Sequence, residues 1–143
     1  PKTKAILIGY PNNTTGTIMD RASLEKVAAF AKAHDLIVIA DEIYCDLTYE
    51  GQHTCFASLP DMQERTIVLN GFSKSYAMTG LRIGYVCAPR EALEEIYKVH
   101  QYEILCASTT SQYGAIEALR NCDADVKAML EEYAARREMI YQG

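Results

Sequence analysis

Three short segments concentrate side chains that can bind anions, exchange protons or attack a carbonyl carbon. Gly71-Phe-Ser-Lys-Ser-Tyr-Ala-Met-Thr-Gly-Leu-Arg82 sets a lysine between two serines and an arginine eight positions beyond it. An amine becomes a nucleophile where its site favours the neutral form, and a guanidinium's planar fork suits a phosphate or carboxylate. Asp41-Glu-Ile-Tyr44 offers two carboxylates and a phenol directly after an apolar run, and Pro11-Asn-Asn-Thr-Thr-Gly16 offers amides and hydroxyls. Taken singly, each has a plain structural explanation. Pro11–Gly16 could be a turn, Asp41 could cap a helix, Tyr44 could pack in a core, and Lys74 could sit on a solvated loop.

The elements that must position these segments argue for reading them together. Ala5-Ile-Leu-Ile-Gly9, Leu36-Ile-Val-Ile-Ala40 and Thr66-Ile-Val-Leu-Asn70 are apolar runs of strand length, and their lack of alternation predicts burial. Leu24, Val27, Ala28 and Ala31 follow a helical stripe, so a helix is expected over 21–34 with Asp20 as its N-cap. Strands recurring about every 30 residues, with a helix between the first two, have the rhythm of an open, mostly parallel sheet. In such sheets ligands bind beyond the carboxyl ends of the strands, where all three polar segments begin.

A fourth run, Ile83–Ala88, follows the third after only about a dozen residues, too few for a parallel crossover, so it is expected as an antiparallel edge strand. Past Pro89 the pattern is helical. Leu93, Ile96, Tyr97 and His100 share one face, and Val126, Met129, Leu130, Tyr133, Arg137 and Ile140 share another. Cys106–Gln112 is expected as a loop joining them, with a cap at Ser108 or Thr109.

The chain's 143 residues suffice for one α/β domain with a core. A net charge of -5 and no basic cluster argue against nucleic acid or an anionic membrane surface as the partner, and no apolar run is long enough to span a bilayer. Five cysteines without CxxC spacing read as reduced, buried thiols of a cytoplasmic protein. With His34, His53 and His100 they form no metal-ligand pattern, so no metal is expected. A start at Pro1 that runs almost at once into an apolar strand suggests a piece of a longer protein.

Gly71-Phe72-Ser73-Lys74, followed by Ala77, Met78, Gly80, Arg82 and Gly84, resembles the pyridoxal 5'-phosphate (PLP) attachment signature of the class I and II, fold type I aminotransferases. Asn13-Thr-Thr-Gly16 and Asp41-Glu-Ile-Tyr44 stand upstream in that family's order. The resemblance implies a three-layer α/β fold and places residues 1–143 in the PLP-binding large domain, with an N-terminal segment and a C-terminal small domain outside them. It implies that Lys74 binds PLP covalently and then serves as the base that moves a proton, and that Asp41 pairs with the pyridine nitrogen. Tyr44 and Asn13 would hydrogen-bond the phenolic oxygen, while Arg82 and Ser73 would contact the phosphate. The implied reaction moves an amino group between an α-amino acid, of aspartate or aromatic type, and a 2-oxo acid, in a cytoplasmic homodimer with the 106–112 loop near the partner's cofactor. A PLP-dependent β-lyase and a non-catalytic PLP-binding domain of a transcription regulator share the scaffold and stay open as alternatives.

Two positions depart from the commoner family pattern. Thr14 stands where many members have proline after the asparagine, so a trans Asn13–Thr14 bond is expected. Gly71 stands where some members carry a phosphate-binding serine.

Overall fold

The computed structural model describes residues 2–143. Its strands β1 (Ala5–Gly9), β2 (Ile37–Asp41), β3 (Thr66–Gly71) and β4 (Gly84–Cys87) form one sheet in that order. β1, β2 and β3 run parallel and β4 pairs antiparallel to β3. The expected α/β arrangement forms, a mostly parallel sheet with one antiparallel edge strand and helices around it. Register aligns Gly9 with Asp41 and Asp41 with Leu69, so β1 and β2 end level and β3 runs on to Gly71.

Helix α1 (Arg21–Ala33) starts where the sequence predicts, with the Asp20 carboxylate accepting the Ser23 N–H at 2.7 Å. Its Leu24, Ala28 and Ala31 are buried with Val38 and Ala40 of β2 and with Phe56, Leu59 and Met62 from the β2–β3 connection. Each fully buried large side chain of that cluster stabilises the fold by about 1.5–3 kcal/mol. A second, smaller core lies at the other end of the sheet. There Phe72, just after β3, packs with Ala115 and Ala118 of α3 (Thr109–Asn121), flanked by Tyr76, Met78 and Ile83. α2 (Arg90–Glu103) precedes α3, and α4 (Asp123–Gln142) follows it as one long helix. The expected faces recur in part: Leu93, Ile96, Tyr97 and His100 line a groove against β4, and Val126 and Met129 approach the lysine loop. Toward its C-terminus α4 is exposed at Met139, Ile140 and Tyr141. No helix among the described residues is long and apolar enough to cross a membrane.

Several expectations need correction. β1 is not a buried strand: it is an edge strand, and its outer face is bare, with Leu7 71% exposed. β2 buries Val38 and Ala40 but exposes Ile37, so it is covered fully on one face rather than two. All five cysteines are free as expected, yet none is fully buried, and Cys87 on the edge strand β4 and Cys106 between α2 and α3 are exposed. The 106–112 segment is only in part a loop, since Thr109–Gln112 already belong to α3. Ser108 does occupy its N-cap position, but its hydroxyl makes no capping bond.

The close approach of β3 and β4 explains Gly71. A Cβ built there would lie 2.8 Å from Gly84 Cα, and one on Gly84 would lie 2.9 Å from Asn70 O. Both obstacles are backbone, so neither can yield without separating the strands. Gly71→Ala is therefore expected to destabilise the fold by about 1–3 kcal/mol, read as a lowered denaturation midpoint. An unchanged midpoint would show that β4 is free to shift.

Candidate active site

Each polar segment leaves the sheet at the same edge, and each is fixed by local bonds. After β1, the peptide bond between Tyr10 and Pro11 is cis and Gly16 has φ +68°. The turn between them is built on Asn12, which sequence reasoning overlooked. Its side-chain oxygen accepts from the N–H groups of Thr14 (3.0 Å) and Thr15 (3.1 Å) and from the Thr15 hydroxyl. The Thr14 N–H is a donor that proline lacks, so threonine closes here by a side-chain bond a turn that proline would stiffen through its ring. No cis bond occurs at Asn13–Thr14, as expected. Asn13 is exposed and faces a groove of about 460 Å³ that Tyr44, Leu47 and Arg137 also line.

At the end of β2, Asp41 is half-buried and belongs to the strand, which removes the helix-cap explanation. One of its carboxylate oxygens accepts the Ile43 N–H at 3.2 Å. The chain then makes a turn and a single 3-10 turn at Cys45–Leu47, not an α-helix, and this swings Tyr44 toward the third segment. Lys74 Nζ stands over the Tyr44 ring, 5.6 Å from its centroid. Beside them the Cys45 thiol accepts from Asn70 Nδ2 at 3.3 Å, and burial pushes its pKa up to about 11, so it stays a neutral thiol.

The lysine loop is pinned from below. Ser111 of α3 is buried and donates its hydroxyl to Leu81 O at 2.6 Å, and Gly114 lets Leu81 and Met78 seat against the helix. Ser73 and Lys74 are half-buried. Arg82 has φ +50°, lies exposed, and turns its guanidinium back onto Thr79 O at 2.9 Å, away from the Asn13–Tyr44 groove. The structure thus brings Asn13 and Tyr44 to one groove and Tyr44 to Lys74, with Asp41 on the neighbouring strand end. Arg82 stands apart at the loop's far end.

Asp41, Lys74 and Arg82 enter no ion pair among the described residues, although eight pairs form elsewhere. An amine beside a phenol, an uncompensated carboxylate and a guanidinium held only by a main-chain oxygen form a donor set suited to PLP, with its aldehyde, protonated pyridine nitrogen and phosphate.

The sequence profile described as aminotransferase class I and II matches residues 1–143. The chain belongs to the class I and II aminotransferases. It is 47% identical over 141 residues to a putative aminotransferase, YugH, of Bacillus subtilis, covering 99% of this chain and 36% of that protein. It is 44% identical to an aspartate aminotransferase of Pyrococcus abyssi, covering 99% of this chain and 37% of that protein. Among solved structures, an aromatic aminotransferase from Pyrococcus horikoshii superposes with a TM-score of 0.94 at 42% identity, over 98% of this chain and 38% of that one. The chain therefore spans little more than a third of the length of these relatives. The family's members are PLP-dependent enzymes.

Sequence reasoning also missed a buried cluster directly behind Asp41. Glu42 is 2% exposed and accepts three bonds: from Tyr10 OH (3.1 Å), His53 Nε2 (2.7 Å) and the Phe56 N–H (2.8 Å). Burial alone would push its pKa up, but the His53 and Phe56 hydrogen bonds and the charge of His53 outweigh it and hold Glu42 below the usual carboxylate range. Burial, reinforced by Glu42, pushes the Tyr10 phenol well above its ordinary value. The available signal was the dipeptide itself: alternation past an apolar strand sends one of two adjacent carboxylates into the core, where it needs donors. A depressed pKa contributes stability that is complete above the unfolded value of about 4.3 and disappears as pH falls through the lower folded value. The melting temperature of the wild type should thus fall more steeply than that of Glu42→Gln below about pH 4. Parallel acid profiles would remove Glu42 from the acid response.

Proposed function

We propose that residues 1–143 form part of the PLP-binding large domain of an aminotransferase that moves an amino group between an α-amino acid and a 2-oxo acid. The observation that carries this reading is the Lys74 amine, in no ion pair among the described residues and set over Tyr44 at the edge where β1, β2 and β3 end. Bound PLP would supply an electron sink for the electrons released at the substrate Cα. Lys74 would hold the cofactor through its aldehyde, and its Nζ would then take the Cα proton and return it to the other side of the transferred nitrogen. Asp41 would keep a proton on the pyridine nitrogen, which its uncompensated carboxylate favours. Tyr44 and Asn13 would donate to the phenolic oxygen, and Arg82 and Ser73 would serve the phosphate after the guanidinium swings from Thr79 O. Relatives named as aspartate and aromatic aminotransferases support a dicarboxylic or aromatic amino-acid substrate.

We infer a homodimer in the cytoplasm. Tyr97, Val99 and Tyr102 of α2, Ile104 and Leu105 beyond it, and Tyr113 and Leu119 of α3 are exposed, an apolar surface that a second subunit would cover. Five free cysteines suit a reducing compartment.

In the full-length protein, borohydride should trap PLP on Lys74, and Lys74→Ala should abolish the adduct, read by mass spectrometry of the labelled peptide. The same adduct on another lysine would overturn the assignment. Amino-acid donors assayed with a 2-oxo acid acceptor should yield the donor's own 2-oxo acid, with aspartate or an aromatic amino acid among the best. Sedimentation should give a dimer; a fully active monomer would contradict the shared assembly.

A further inference from the structure

Glu42 is a charged side chain in a place where an apolar one would serve the core at lower cost. Its neighbours Tyr10 and Phe56 belong to the main hydrophobic cluster, and breaking a buried charge network is far more expensive than never building one. What the carboxylate adds is direction. Its Oε1 accepts from Phe56 N–H and Tyr10 OH, and its Oε2 is held by His53, so neither oxygen can turn without losing a partner. The donors come from separate pieces of chain: Tyr10 closes β1 and precedes the Asn13 turn, and His53 and Phe56 lie in the β2–β3 connection. Tyr10 and His53 also stack, with centroids 5.1 Å apart, and the Tyr10 hydroxyl lies 3.0 Å from Thr54 O.

The main chain repeats the tie. Tyr10 N donates to Asp41 O at 3.1 Å and Glu42 N donates to Leu69 O at 2.9 Å. Asp41 therefore sits between its own carbonyl, bound to Tyr10, and the next residue, locked at both backbone and side chain. We propose that Glu42, with Tyr10 and His53, is a positioning residue that fixes Asp41 at the end of β2, beside the end of β1 that leads into the Asn13 turn. This rests on the proposed PLP site and adds to it a support behind the strand ends, on the face opposite the cofactor.

The test is a double-mutant cycle in the full-length protein, with PLP affinity measured by absorbance titration of the PLP-free form. If Glu42 acts through Asp41, Glu42→Gln should weaken PLP binding about tenfold in the wild-type background but less than about twofold in an Asp41→Asn background. The visible band of bound PLP should shift in pH midpoint in the same direction for Glu42→Gln as for Asp41→Asn. His53→Ala should behave like Glu42→Gln, and His53→Gln, which keeps a donor, should restore most of the affinity. Should Glu42→Gln not fold, the His53 pair and Tyr10→Phe carry the same cycle. Equal losses in both backgrounds, or lowered melting temperature with unaltered PLP affinity and spectrum, would overturn the inference while leaving the proposed function intact. A wild-type protein that takes up no PLP would overturn both.

Discussion

The parallel pairing of β1, β2 and β3 is the constraint on which everything else depends. Chain direction is the same in all three strands, so all three exits lie at one edge, where β1 and β2 end level and β3 runs on to Gly71. A slip of one residue in β2 would send Asp41 to the buried face and Glu42 to the open one. The core residues on β2, Val38 and Ala40, resist that slip, because it would exchange them for Ile37, Ile39 and Asp41 against α1. The hydrophobic packing under the sheet thus fixes which carboxylate faces the site.

The lysine loop needs a different support, because it holds a single 3-10 turn, Thr79–Leu81, and no α-helix. It runs from β3 into a β4 that turns straight back, and only the pair Gly71 and Gly84 permits the strands to close so tightly. From the other side α3 holds the loop by the Ser111–Leu81 bond and the Phe72, Ala115 and Ala118 contacts. The loop that carries Lys74 is thus placed by two glycines, a serine and small residues on a helix.

Much of this was legible in the sequence because it rests on local patterns. The apolar runs, the Asp20 cap and the short β3–β4 spacing each carry their own signal, and the elements formed within a residue or two of their expected bounds. Burial was less legible. Leu7 and Ile37 have the composition of core residues, but exposure depends on what lies beside β1 and above the open face, which no pattern within the run specifies. The site showed the same division. The candidate residues Lys74, Asp41, Tyr44 and Asn13 stood in motifs that resemble the family's. Tyr10 and His53 did not, since they act through Glu42, 32 and 11 residues away, and a hydrogen bond across such a separation has no periodicity to betray it.

Asp41 and Glu42 make the electrostatic logic of the site visible in two adjacent residues. They share a charge, a chain position and nearly a chemistry, yet one has three donors and the other a single main-chain N–H. A carboxylate whose oxygens are all occupied has nothing left to offer a ligand; its energy goes into fixing the backbone around it. One left short of donors holds that capacity in reserve for an incoming cation, and a protonated pyridine nitrogen is such a cation. The same holds for Lys74 and Arg82, which have no acidic partner among the described residues while Arg137 binds Glu50 at 2.7 Å on the groove's rim. Stability alone would favour pairing all of these charges. Asp41 at a strand end and Lys74 and Arg82 in the loop after β3 stay unpaired, an arrangement that suits a ligand carrying both signs of charge.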